Sequence, residues 1–290
     1  MVAGVSRERL LLLPAAVFAA VVVLLPVLRV VQLSFSHVEL QGELTTRWAG
    51  WAPYFRLWQD TRWWAALRNT LLFTTTSVFL ETVLGVAFAL VLHRSFRGRG
   101  LLRAVVLVPW ALPTAVMALS WAWIFNDSFG VANDLLQRAG LLATPLAWLG
   151  DPALAMAALV IAEVWKTTPF VALIVLAGLQ GIPEELIEAA RVDGLTASQR
   201  LRHVVLPLLL PSLLLAVLFR AVQAYGAFDI VYVMTGGGPG GSTETISLYA
   251  FQSYFRYLDF GYGSAIATQG ALLAVLAAAA ALALAGRRPQ

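Results

Sequence analysis

Gly181-Ile182-Pro183-Glu184-Glu185-Leu186-Ile187-Glu188-Ala189-Ala190-Arg191-Val192-Asp193-Gly194 separates two long apolar runs, about 153–179 before it and about 204–225 after it. Its local chemistry specifies a short surface helix. Pro183 suits a first helical position, where a missing N–H costs nothing, and Glu184 and Glu185 sit where the helix dipole favours anions. Gly194 supplies a left-handed stop. Leu186, Ala189 and Ala190 fall at i, i+3 and i+4, so one narrow face is apolar and small enough for a second backbone to approach closely. Such a face is made to be covered. Helices that rest on membranes carry Lys and Arg on their polar face, whereas this one leads with Glu184, Glu185 and Glu188, which favours a protein partner. Ser198 or Thr196 caps a second helix that runs through Leu201 and His203 to Leu206-Pro207, where the next apolar run begins.

The flanking runs have the length, about 20 residues, that a bilayer core roughly 30 Å thick requires. The chain is 60% hydrophobic and 12% charged, with a mean hydropathy of +0.78, against about a quarter charged in a soluble domain. Apolar runs without a dyad repeat are helices rather than barrel strands, because lipid offers no partner to an open backbone group. Six crossings are expected, at about 10–31, 69–92, 102–125, 153–179, 204–225 and 262–285. Arg7 and Arg9 ahead of the first run suggest a signal peptide, but the run is too long and no A-x-A site follows, so it reads as a retained helix bent by Pro14 and Pro26. Between 34 and 68, Trp48, Trp51, Trp58, Trp63 and Trp64 fit amphipathic segments lying at the external interface.

Charge sets the orientation. Twenty basic residues, of which Lys166 is the one lysine, oppose sixteen acids for a net +4, and the arginines gather in particular loops, which reads as topology rather than nucleic-acid binding. Arg7 and Arg9, the acid-free linker 93–103, Arg191, Arg200 and Arg202, and Arg287 and Arg288 all go to the cytoplasmic side under the positive-inside rule. The expected organisation is a first transmembrane helix with a cytoplasmic N-terminus (1–33), an external interfacial segment (34–68), a transmembrane domain (69–285) with a cytoplasmic loop at 181–203, and a cytoplasmic tail (286–290). The absence of cysteine excludes disulfides, a thiolate nucleophile and cysteine-held metal. No inverted pair of broken segments, the mark of many secondary transporters, is visible.

At Glu188-Ala189-Ala190, Gly194 and Val205-Leu206-Pro207, preceded by Ile182-Pro183, the chain resembles the inner-membrane permeases of binding-protein-dependent ABC importers, carbohydrate-uptake branch. That resemblance covers roughly 69–285. It implies an all-α integral membrane protein with six transmembrane helices, the type I ABC importer permease fold, and a coupling helix seated in a cleft of an ATPase subunit. Glu188 would be the ionic contact to that subunit, Ala189 and Ala190 the close-packed face, and Asp193 with Gly194 the turn that sets the second helix. Implied partners are a second, distinct permease, two ATP-binding cassette subunits that hold ATP and magnesium, an extracytoplasmic sugar-binding protein, and the lipid of a prokaryotic cytoplasmic membrane.

Thr235-Gly236-Gly237-Gly238-Pro239, with Thr243, Thr245, Tyr249 and Phe255, is similar to the T-x-G-G-P pattern of maltose-type permeases. Gly236 and Gly241 imitate a phosphate loop, but Ser242 stands where lysine is required, so this chain should not bind ATP and needs no cofactor of its own. Taken alone, the glycines read as a flexible external loop.

Ionisable groups at membrane depth are expensive and mark functional candidates. Glu81, Glu163, Lys166, Arg220 and Asp229 qualify. Glu163 and Lys166, at i and i+3, either neutralise each other or face a solute, and Glu81 either serves transport or holds a neighbouring helix. The resemblance to maltose-type permeases selects Trp165-Lys166-Thr167-Thr168-Pro169-Phe170, with Lys166, Thr167 and Phe170 at contact positions. On the fifth crossing it selects the stretch from Gln223 to Asp229, where Gly226 and Ala227 replace amides and Gln223, Tyr225 and Asp229 are the groups able to compensate. The expected function is a permease subunit for a di- or oligosaccharide such as maltose or trehalose. Alternatives are an ABC permease for a polyol phosphate, amino acid or oxyanion, or a carrier driven by an ion gradient through Glu81, Glu163 or Asp229. An enzyme is disfavoured, because His37, His93 and His203 lie on different loops.

Overall fold

The computed structural model describes residues 7–41 and 43–286. The expected tail at 287–290, with Arg287 and Arg288, and the side chains of Arg7 and Arg9 lie outside the described residues. Among the described residues four helices are long and apolar enough to cross a membrane: α3 (Thr61–His93), α7 (Pro152–Gln180), the continuous run Ala197–Tyr225 that contains α9 (Ala197–Arg200) and α10 (Leu206–Tyr225), and α13 (Phe260–Gly286). A bent pair, α4 (Arg99–Ala111) and α5 (Thr114–Ile124), supplies a fifth span, and α1 (Arg7–Leu33), with Pro14 and Pro26 inside it, carries a shorter apolar stretch at Val17–Leu33. Val17, Phe18 and Leu28 of α1 are exposed, as lipid-facing side chains are.

The third crossing is not the single straight helix expected over 102–125. It bends by 91° between α4 and α5. Pro113 has no N–H to give to the Pro109 carbonyl and its ring crowds that position, while Leu112, the residue before a proline, is driven to φ −72°, ψ 138°.

Two compact units divide the chain, residues 1–64 with 249–273 and residues 65–248 with 274–290. In the first, the segment expected to be purely interfacial folds into an antiparallel hairpin, β1 (Ser36–Gln41) paired with β2 (Glu43–Trp48) in the register Ser36↔Trp48, followed by α2 (Ala52–Gln59). The helical expectation holds for the spans, and the hairpin is an addition to it: Val38, Thr45 and Thr46 favour extended backbone, and the pairing satisfies peptide groups that water would otherwise have to meet. The tryptophans divide as well, with Trp63 buried and in edge contact with Trp64 at 4.8 Å, and Trp48, Trp51 and Trp58 exposed. Asp60 closes the unit by accepting hydrogen bonds from the hydroxyls of Tyr249 and Tyr262 and from the Arg62 amide. Burial works to raise the Asp60 carboxyl, but these bonds outweigh it and hold it below its usual value. Tyr249 is pushed up to about 12, by burial first and then by its bond to Asp60. Arg56 bridges to Asp259 at 2.7 Å and lies 3.9 Å over the Tyr262 ring.

The second unit is organised about α7, whose apolar window is 67% buried against 17% for the Ala197–Tyr225 run. Ala89 and Leu92 of α3, Val171, Val175, Leu176 and Leu179 of α7, and Leu209 and Ala216 of α10 form its core. Two glycines set the helix spacing. A Cβ on Gly85 would fall 2.6 Å from Val171 Cγ1, and one on Gly178 would fall 2.4 Å from Ser212 Oγ, the close approach that small residues permit between helices in lipid.

Candidate functional site

Three arrangements in the second unit bear on function. The first is α8 (Glu184–Val192), between α7 and α9. Pro183 is its N-cap, one position earlier than expected, and Glu184 and Glu185 form the acidic first turn. Its end is a Schellman turn: the Leu195 N–H donates to the Ala190 carbonyl at 3.1 Å and the Gly194 N–H to that of Arg191 at 3.0 Å, with Gly194 at φ +81°. Thr196, not Ser198, caps the next helix, through a reciprocal box with Gln199. A π-helical stretch, Leu201–Val205, then leads into α10, because Pro207 cannot donate to the His203 carbonyl and its ring pushes that turn wide. Of the apolar face expected on α8, Ala190 is buried, while Leu186 and Ala189 remain exposed; Glu188, Arg191, Asp193 and Gly194 are exposed too, and Val192 is 88% exposed.

The second arrangement is a charged junction at membrane depth. Arg220 of α10, 3% exposed, donates from Nε to Glu81 Oε2 of α3 at 2.6 Å, from Nη2 to Glu81 Oε1 at 3.1 Å and to Glu163 Oε1 of α7 at 2.7 Å, and from Nη1 to Gln223 Oε1 at 2.7 Å. Three helices are thereby tied by one guanidinium whose planar fork matches carboxylates. Of the two readings of Glu163, neutralisation by Lys166 gives way to Arg220, while Lys166, partly exposed, has no hydrogen bond or ion pair among the described residues. Glu81 takes the helix-holding role. In lipid a carboxylate is tolerable only when paired, and the guanidinium supplies two pairings at once.

Beside the junction lies an aromatic face. Phe170 of α7 stacks on Trp110 of α4 at 5.9 Å and meets Phe219 of α10 at 5.7 Å. Phe219 and Trp110 are about half exposed. Phe219, Gln223 and Gly226 follow one another at i, i+4 and i+7, so the aromatic face and the Gln223 amide share one side of α10. Sequence reading passed over Trp110, although its place just before Pro113 put it at a helix end. Thr167 is buried and its hydroxyl donates to the Glu163 carbonyl at 2.6 Å, so only its lone pairs stay available. Tyr225 closes α10 with a buried hydroxyl that has no hydrogen-bond partner among the described residues, Gly226 is an exposed C-cap at φ −83°, and Asp229 opens α11 (Asp229–Met234) exposed.

The third is the glycine segment, which is pinned rather than flexible. Thr243 is fully buried, bonds the Thr235 hydroxyl at 2.8 Å and donates to the Gly238 carbonyl at 2.7 Å. Asn69 donates to the carbonyls of Gly241 and Glu244 at 2.9 and 3.2 Å, and the Thr70 hydroxyl accepts the Ile246 N–H at 2.9 Å. Gly236, Gly237, Gly240 and Gly241 all have positive φ, a path that needs glycine.

Residues 81–287 match the family model described as binding-protein-dependent transport system inner membrane component. The chain is 44% identical over 257 residues to the trehalose/maltose transport system permease protein MalF of Thermococcus litoralis, covering 89% of this chain and 86% of that protein. It is 41% identical to the sulfoquinovosyl glycerol transport system permease protein SmoG of Agrobacterium fabrum, over 89% of this chain and 83% of the other, and 39% identical to the trehalose transport system permease protein SugA of Mycobacterium tuberculosis, over 89% and 81%. In fold it is similar to a chain of a solved bacterial ABC transporter involved in import of the acidic polysaccharide alginate, with a TM-score of 0.84 at 20% identity over 98% of this chain and 96% of that one.

Proposed function

The chain belongs to the binding-protein-dependent transport system inner membrane components, the permeases of ABC importers, and from that membership we propose that it carries a sugar across the cytoplasmic membrane on energy delivered through α8. Identity of 44% over most of both chains to a trehalose/maltose permease supports a disaccharide or a compound of similar size. The site chemistry agrees with it: a ring surface of Trp110, Phe170 and Phe219 beside the Gln223 amide offers the apolar floor and convergent polar groups that sugar recognition uses. Lys166, Thr167, Tyr225, Gly226 and Asp229 complete the proposed path. The ion-gradient alternative loses two of its three carboxylates, because Glu81 and Glu163 are held by Arg220.

The observation that carries the coupling role is the exposure of α8. It closes on itself with its own backbone bonds, yet leaves Leu186, Glu188, Ala189 and Val192 uncovered. An ATPase cleft is the cover we assign to it, with Glu188 meeting a basic residue there. ATP and magnesium belong to two such subunits, a second and distinct permease completes the path, and an external binding protein delivers the sugar. Both termini and α8 lie on the cytoplasmic side in this reading. Motion then has a direct route: the continuous helical run Ala197–Tyr225, 29 residues and about 40 Å long at 1.5 Å per residue, begins beside α8 and ends at Gln223 and Tyr225. Closure of the ATPase pair would swing this run as a lever.

The complete importer in proteoliposomes tests the proposal. Glu188→Lys combined with Gly194→Pro should abolish sugar-stimulated ATP hydrolysis and uptake while the subunits still copurify. Stimulated hydrolysis that survives both changes would show that α8 is not the coupling element.

A further inference from the structure

Arg220 uses four of its five N–H groups: Nε on Glu81, both Nη2 hydrogens on Glu81 and Glu163, and one Nη1 hydrogen on Gln223. Two carboxylates, Glu81 and Glu163, more than match one guanidinium, so the bond to Gln223 is surplus to neutralisation. Its consequence lies on the other side of the amide. A guanidinium has no acceptor, so only the oxygen of Gln223 can face it, and the carboxamide nitrogen is turned outward. Among the described residues that nitrogen has no partner, and Gln223 is exposed on the same side of α10 as Phe219.

We infer that Arg220 is a positioning residue for transport: it locks the Gln223 amide with its N–H donors outward, so that the solute is met at this point by a donor and must present an acceptor oxygen, such as a hydroxyl, ring or glycosidic oxygen. A free glutamine side chain exchanges donor and acceptor by rotating about one bond, and ordering it during binding costs conformational entropy. Holding it from behind with a buried cation removes that cost and selects one of two chemistries. The inference rests on the reading that Gln223 lies on the solute path.

The test is a double-mutant cycle on the complete importer in proteoliposomes, with uptake of trehalose, maltose and sulfoquinovosyl glycerol measured and the best-transported of the three carried forward. Gln223→Ala should raise KM by roughly three- to tenfold, the size expected for one lost hydrogen bond to a neutral group, with a smaller change in kcat. Arg220→Lys should raise KM by a similar factor in the native background and add little in the Gln223→Ala background, because lysine keeps the charge for Glu81 and Glu163 but lacks the fork that also reaches Gln223. An unchanged KM in Gln223→Ala would remove Gln223 from the path and the inference with it. A raised KM in Gln223→Ala, with an equal further rise on adding Arg220→Lys, would keep Gln223 on the path and overturn the positioning role alone. Should Arg220→Lys fail to assemble, Gln223→Glu decides: its carboxylate keeps the bond to Arg220 but has no N–H, so KM should rise as in Gln223→Ala, and a native KM would overturn the inference.

Discussion

The segment around Gly194 and the segment around Gly237 carry the two signatures by which this chain resembles its family, and they are built in opposite ways. Near Gly194 the backbone bonds join sequence neighbours, and Leu186, Glu188, Ala189 and Val192 are left uncovered. Near Gly237 the side chains turn inward: Thr243 bonds Thr235 and Gly238, while Asn69 and Thr70, more than 170 positions away, hold the carbonyls and an N–H of the segment. A signature residue therefore does one of two physical jobs. In the first segment it faces outward and is left uncovered, and in the second it supplies internal cohesion. Substitution should separate the two, because cohesion is read as stability and an outward face as coupling.

The sharpest way to break this contrast is Asn69→Ala, which strands two carbonyls of the glycine segment. Its cost should be about 2–3 kcal/mol, seen as a lowered thermal midpoint of the detergent-purified chain, with new protease cleavage between 235 and 245. An unchanged midpoint would mean that the segment is held by something other than these bonds. Gly194→Ala places a Cβ at φ +81° and should cost about 1 kcal/mol. Among the described residues no atom beyond the two chain neighbours lies within 4 Å of that Cβ position, so the loss should come from backbone strain alone and be undone by Gly194→Asn, which tolerates the left-handed region better.

Asp60 extends the cohesive class to the other unit. Its folded carboxyl titrates below the ordinary 3.8, so its contribution is complete above that unfolded value and is lost as pH falls through the lowered one. Thermal midpoints measured down the acid range should therefore drop less for Asp60→Asn than for the native chain, and parallel curves would count against the bonds from Tyr249 and Tyr262.

Glu188→Lys should shift the midpoint by no more than about 0.5 kcal/mol equivalent, as an exposed surface change does, while sugar-stimulated ATP hydrolysis of the complete importer should fall. The smallest structural effect is expected at Gly226. Its φ of −83° is ordinary, and a Cβ there would meet no neighbour closer than 3.6 Å. Gly226→Asn should fold normally yet change the ratio of kcat/KM between trehalose and maltose. A constant ratio would take Gly226 off the solute path.

Hydropathy made the helical spans legible, since a bilayer core demands apolar length and that demand is written directly in composition. Caps and stops were legible for a similar reason: Thr196, Gly194 and Pro183 act on backbone groups within a few residues. The hairpin Ser36–Gln41 with Glu43–Trp48 was missed because its alternation is short and the tryptophans around it suggested a bilayer interface. The break at Pro113 had its signal in Pro109 and Pro113, four apart, beneath an unbroken apolar run. Glu163 was read against Lys166, its neighbour on one helix, whereas its partner is 57 positions away.

What the sequence determined by itself, then, is everything set by local chemistry or by the solvent: a helical membrane chain, the short helix α8 with its stop at Gly194, and motifs that point to an importer permease. Tertiary structure alone decided which buried charges meet. A guanidinium in lipid takes the acceptors that packing brings within 3 Å, and here packing of α3, α7 and α10 brought Glu81, Glu163 and Gln223 to Arg220.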